Sequence, residues 1–268
     1  MFDVLLLPFM QRALAGGLLV GLLASYYGPF IVQRRMAFLG NGLAHAAFGG
    51  VALGVLLNAE PIWVAMPFTV AVAMLMVWVR ERGGLADDTV IGVFFALSMA
   101  LGMVFIALRE DYAGDAFRFL FGSILAVSTA DLWASAVVLA ITALLLPLWP
   151  RWAYATFDRR LAQADRLPVL RDDYVLSIML AMAIVVSIKV VGIILASAFF
   201  VLPAATARLM TNRFSRLTLV SVVLGEFAVT TGLWLSYLVD WPTGPVIVLV
   251  QGALFLAALA SQGLFSRS

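Results

Sequence analysis

Apolar runs close to twenty residues long recur from one end of this 268-residue chain to the other. Each is long enough for a helix to cross a bilayer core of about 30 Å. Backbone polar groups in lipid must be satisfied within the segment, so the spans are helices rather than open strands. The fold class is therefore all-α, a polytopic helical membrane protein. Long spans are expected at 12–33, 40–58, 61–80, 88–108, 131–149, 174–194, 217–239 and 243–264, with a shorter apolar piece at 195–208. The reading is eight full spans plus one short broken or re-entrant helix, in a single membrane domain over 1–268.

Composition excludes several classes. The chain is 64% hydrophobic and 12% charged, with mean hydropathy +1.06. Without cysteine, it has no disulfide, thiolate nucleophile or zinc-thiolate site. Its net charge of +2 does not indicate nucleic acid, because the arginines sit in the gaps between apolar runs. The start, "MFDVLLLPFMQRALAGG", is acidic at its tip and reads as no removable signal peptide.

The arginines also orient the chain. Arg34 and Arg35 follow the first span, Arg80 and Arg82 the third, and five more lie within 151–171. By the positive-inside rule these connections are cytoplasmic, and the N-terminus is outside. Glu60 and the stretch Glu110–Asp115 then fall outside. Arg208, Arg213 and Arg216 fit only if 195–208 completes a further crossing, which also makes the C-terminus cytoplasmic. Gly192 and Pro203 are the residues expected at an interruption of that kind. The one long connection, 150–173, is the cytoplasmic loop. Trp63, Trp149, Trp152 and Trp241 near span ends fit an interfacial aromatic belt.

One segment stands out chemically. "GNGLAHAAFGG" at 40–50 contains the only histidine, His45, with Asn41 one turn earlier on the same face. His45 lies ten residues past Arg35, hence roughly 15 Å deep. Polar groups at that depth face a bundle interior or a water-filled path. The plainer alternative is interhelical hydrogen bonding; the functional one is a metal or proton station, since neutral imidazole is a common metal ligand. Lys189 and Glu226 are the other costly groups inside apolar helices. Lys189 is expected near the outer end of its span, and Glu226 deeper, pairing with a neighbouring helix or adding charge to a metal route. No G-x-x-x-x-G-K-[ST] phosphate loop and no H-E-x-x-H cluster occurs, so neither ATP hydrolysis nor intramembrane proteolysis is expected of the chain itself.

Five stretches in order resemble the permease subunit of bacterial zinc/manganese ABC uptake transporters. They are "RRMAFLGNGLAHAAFGGVALG", "DDTVIGVFFALSMALGMV", "FLFGSILAVSTADL", "VVGIILASAFFVLPAATARLM" and "DWPTGPVIVL". The resemblance implies an architecture similar to the vitamin B12 importer permease, in the bacterial inner membrane. It implies a homodimer, two ABC ATPase subunits on the cytoplasmic face and an extracytoplasmic metal-binding protein, with Zn²⁺ or Mn²⁺ as cargo and no resident cofactor. In that family an Asp and a His of the second-span motif line the metal's route; His45 matches the His, while Asn41 stands where the family has Asp. Asp88 and Thr89 match the start of its fourth-span motif, where helix capping with a gating contribution is expected, as at Pro203. "TFDRRLAQADRLPV" resembles the coupling helix that enters the ATPase, which points to Phe157, Asp158, Arg159, Arg160, Leu161 and Ala164. Arg159 takes the family's Pro position and Arg160 its acidic one. Two alternatives stay open: a metal-chelate (siderophore) ABC permease, and a proton-coupled secondary carrier relaying through Lys189, Glu226 and His45.

Overall fold

A computed structural model describes residues 8–108, 122 and 127–265. Among these are eleven α-helices and one 3-10 turn, with no strand. The helices are α1 (Pro8–Gln33), α2 (Ala37–Leu56), α3 (Pro61–Gly83), α4 (Asp87–Ala107), α5 (Thr129–Leu144), α6 (Trp149–Phe157), α7 (Arg159–Ala164), α8 (Val169–Val191), α9 (Ile193–Met210), α10 (Phe214–Val239) and α11 (Thr243–Phe265). The expected outer stretch Glu110–Asp115 and most of "FLFGSILAV" lie outside the described residues.

Eight of these helices are long and apolar enough to cross a membrane. Two assignments shift. The piece expected to be short, 195–208, is the 18-residue α9 and qualifies by itself. The expected fifth span is instead divided: α5 has 16 residues and bends by 46° into Leu146–Phe157. The loop 150–173 is mostly helical, holding α6, α7 and the first turn of α8.

The two ends of the bundle differ in chemistry. At one end Arg34, Arg80 and Arg159 gather on Asp173, and Arg151 clamps Asp172 with two nitrogens. Phe214, which opens α10, packs on Phe30, Trp149 and Phe157 there, so α9 has returned to this end and Arg208, Arg213 and Arg216 join the basic side. At the other end Lys189 Nζ lies 2.9 Å from Asp131 and 3.7 Å from Glu60. Asp131 also closes a reciprocal cap with Ser128 at the head of α5, so one buried carboxylate serves two elements.

Gly192 is the hinge between α8 and α9, at φ 89°, a backbone state that a Cβ would strain. Pro203, by contrast, sits inside an uninterrupted α9. In α1, Pro29 removes the N–H that would serve the carbonyl of Ser25; Ser221 of α10 supplies the missing donor at 2.8 Å. Trp152 is not interfacial: it is fully buried, edge-on to Phe30. Trp63 and Trp241 are exposed, as a belt requires.

Candidate functional site

The candidate site lies on α2, which with α1 is the most enclosed of the long helices. Its small residues let neighbours approach: a Cβ on Gly50 would stand 2.6 Å from the Cα of Ala65 on α3, and one on Gly42 2.8 Å from Ile91 on α4. Close packing of this kind replaces the hydrophobic drive that lipid does not provide. On the α9 side, Ser197 Oγ donates to the carbonyl of Ala37 at 3.3 Å, one turn below Asn41.

With α3, α4 and α9 taking its other faces, α2 keeps one partly open line in its first turns, through Phe38, Asn41 and His45. Phe38 is 66% exposed. His45 Nδ1 lies 3.0 Å from the backbone carbonyl of Asn41. A carbonyl only accepts, so Nδ1 carries the proton and Nε2 keeps its lone pair. Among the described residues no hydrogen bond reaches Nε2. This is the second-shell arrangement found where imidazole ligates metal, with a backbone carbonyl fixing tautomer and ring orientation. The ring also packs on Phe95 of α4, with centroids 4.4 Å apart. The sequence motif pointed to the histidine; Phe95 carried no signal, being one of nineteen phenylalanines.

Not every expected residue comes to this place. Glu226 lies at the α1/α10 interface, where a Cβ on Gly21 would meet its Oε1 at 3.0 Å, and that oxygen is buried without a hydrogen bond. Lys189 is committed to Asp131 at one end of the bundle. His45, Glu226 and Lys189 thus occupy separate interfaces, and no group of three His, Cys, Asp or Glu side chains is poised around a metal among the described residues. Asp88 and Thr89 are exposed, and neither caps α4: the N-cap is Ala86, without a side-chain hydrogen bond. Asp87, beside them, is the first-turn carboxylate that faces Arg80, at 3.7 Å.

The segment 157–164 divides by function. Asp158 caps α7 by accepting from the Leu161 N–H at 2.8 Å. Ala162 is buried against Ala155 and Val169. Arg159 pairs internally with Asp173 and with Glu81, the latter at 2.6 Å. Phe157, Arg160, Leu161 and Ala164 face outward.

Against this geometry stand the likenesses to known proteins. The profile of the ABC 3 transport family matches residues 6–262. The manganese transport system membrane protein MntC of Halalkalibacterium halodurans is 33% identical over 99% of this chain and 93% of its own length. The high-affinity zinc uptake system membrane protein ZnuB of Haemophilus influenzae is 29% identical over 97% and 98%. The solved structure of PsaBC from Streptococcus pneumoniae in complex with Fab superposes with a TM-score of 0.85 at 32% identity, covering 96% of this chain and 93% of the matched one. With the helical bundle, the α2 motif and a profile match over nearly its whole length, the chain belongs to the ABC 3 transport family.

Proposed function

We propose that this chain is the membrane-spanning permease subunit of an ATP-driven importer of manganese or zinc, acting as a homodimer whose translocation path runs along the α2 face of each copy. One observation carries the reading: the open line on otherwise enclosed α2 is the one bearing Asn41 and His45, with Nε2 of the imidazole unpartnered. Polar groups at membrane depth are not left to lipid. A second copy and a hydrated passage between the two α2 faces satisfy them.

Paired across a two-fold axis, the faces offer two imidazole nitrogens and two amide oxygens. That mixed set suits a borderline divalent cation moving through rather than one held permanently. Asn41 has no negative charge, so attraction for the cation is weaker than a carboxylate would give, and release is correspondingly easier. The curated manganese and zinc relatives support this cargo class without dividing it.

Energy enters from separate ATPase subunits. The outward side of α7, with Arg160, Leu161 and Ala164, together with Phe157 at the end of α6, is the face offered to them. An extracytoplasmic metal-binding protein delivers cargo at the end bearing Lys189, Asp131 and Glu60. The N-terminus is outside, and the basic end lies in the cytoplasm of the bacterial inner membrane. The carrier alternative loses its relay, because Lys189, Glu226 and His45 face different neighbours. Radioactive Mn²⁺ and Zn²⁺ uptake into vesicles holding the permease with its ATPase tests the assignment. Uptake should require ATP and stop in His45→Ala; uptake by the permease alone would replace this reading with the carrier.

A further inference from the structure

Three guanidinium groups from three separate elements converge on one carboxylate. Asp173, 1% exposed in the first turns of α8, accepts from Arg34 at 2.7 Å on Oδ1 and from Arg80 at 2.8 Å on Oδ2. Arg159 of α7 donates to that same Oδ2. Two cations therefore share a single oxygen, which has lone pairs for both, and each is also held elsewhere. Arg159 reaches Glu81 at 2.6 Å. The other arm of Arg80 lies 3.7 Å from Asp87, at the head of α4.

Arg80 and Asp87 are in turn the charged wall of a small cavity of about 20 Å³. Its apolar wall includes Leu39 and Leu43 of α2, each two residues from Asn41 and so on the side of that helix turned away from Asn41 and His45. A continuous series of contacts thus links the exposed helix α7, through Asp173 and Arg80, to the basic ends of α3 and α4 behind α2. A carboxylate shared in this way stays neutralised by Arg34 and Arg80 if Arg159 is drawn away. Removing a single cation leaves no buried charge unpaired, which is what an element needs if it is to switch rather than unfold.

We propose that Asp173 is the positioning residue that transmits displacement of α7 to the basic ends of α3 and α4, with Arg80 as the latch between α3, α4 and α8. This rests on the reading of α7 as the helix engaged by the ATPase. The permease with its ATPase in vesicles is compared with Asp173→Asn, reading Mn²⁺ and Zn²⁺ uptake per ATP hydrolysed. A second readout uses the absence of native cysteine: Val77→Cys and Val90→Cys face the same cavity from α3 and α4, and their cross-linking is followed with and without trapped nucleotide.

Asp173→Asn should hydrolyse ATP while uptake per ATP falls at least about tenfold, within the range of allosteric couplings. The cysteine pair should then no longer respond to nucleotide. Unchanged uptake per ATP, or a pair that still responds, overturns the proposal. If Asp173→Asn fails to assemble, Arg159→Gln decides, since Arg34 and Arg80 still neutralise the carboxylate: it should uncouple in the same way, and full coupling overturns the relay. Failure of the docking assignment is seen separately, as ATPase that co-purifies undiminished with Arg160→Glu.

Discussion

At the scale of single residues, the role proposed for His45 and Asn41 rests on a backbone carbonyl that fixes which ring nitrogen is free. His45→Ala is expected to abolish ATP-dependent uptake while the protein still assembles, a loss exceeding the roughly 10–100-fold typical of outer-shell partners of metal ligands. Asn41→Asp adds a charge at low dielectric and should lower the half-saturating metal concentration in the same uptake assay. Equal transport by the original chain and both variants would reduce the pair to interhelical glue. The motif spacing made this pair legible. The role of Asp87 was not: adjacent carboxylates at 87 and 88 look alike in sequence, and only the approach of Arg80 distinguishes them.

At the scale of elements, the short helix α7 faces two ways. Arg159 turns inward to Asp173 and Glu81, whereas Arg160 is exposed. Arg160→Glu should weaken co-purification of the ATPase and leave the melting temperature of the permease within about a degree, as a surface substitution does. A large fall in melting temperature would place Arg160 inside the fold. Across the bundle, Asp131→Ala removes both the capping carboxylate of α5 and the counter-ion of Lys189. Its expected cost is about 3 kcal/mol, read as a shift in thermal unfolding in detergent; Glu60 at 3.7 Å relieves part of the strain on the lysine. Equal stability would mean that the lysine finds water without rearrangement. The resemblance to the family's coupling helix marked α7 approximately, from 157 to 164. The break at Asp158 is a capping event, and the inward turn of Arg159 depends on Glu81, distant in sequence.

At the scale of the whole molecule, the proposed two-copy path sets the line through Phe38, Asn41 and His45 against its counterpart in a second copy. Phe38→Cys in this cysteine-free chain should form a disulfide-linked dimer on mild oxidation in the membrane. A monomer only would turn the line toward lipid and remove the two-copy path. The division of charge is equally specific. A cysteine at Glu60 should be labelled by an impermeant maleimide from outside intact cells, and one at Arg166 only after permeabilisation; the reverse pattern would invert the topology.

The sequence by itself determined that the chain crosses the membrane many times as helices, and which end is basic. Those properties follow from local apolar length and from charge between spans. Tertiary structure alone decided that α9 returns as a full helix while the fifth span bends. It also separated Glu226 and Lys189 from His45, and gathered three arginines on Asp173. Such outcomes depend on which side chains meet across helices far apart in the chain, and neither periodicity nor composition encodes that.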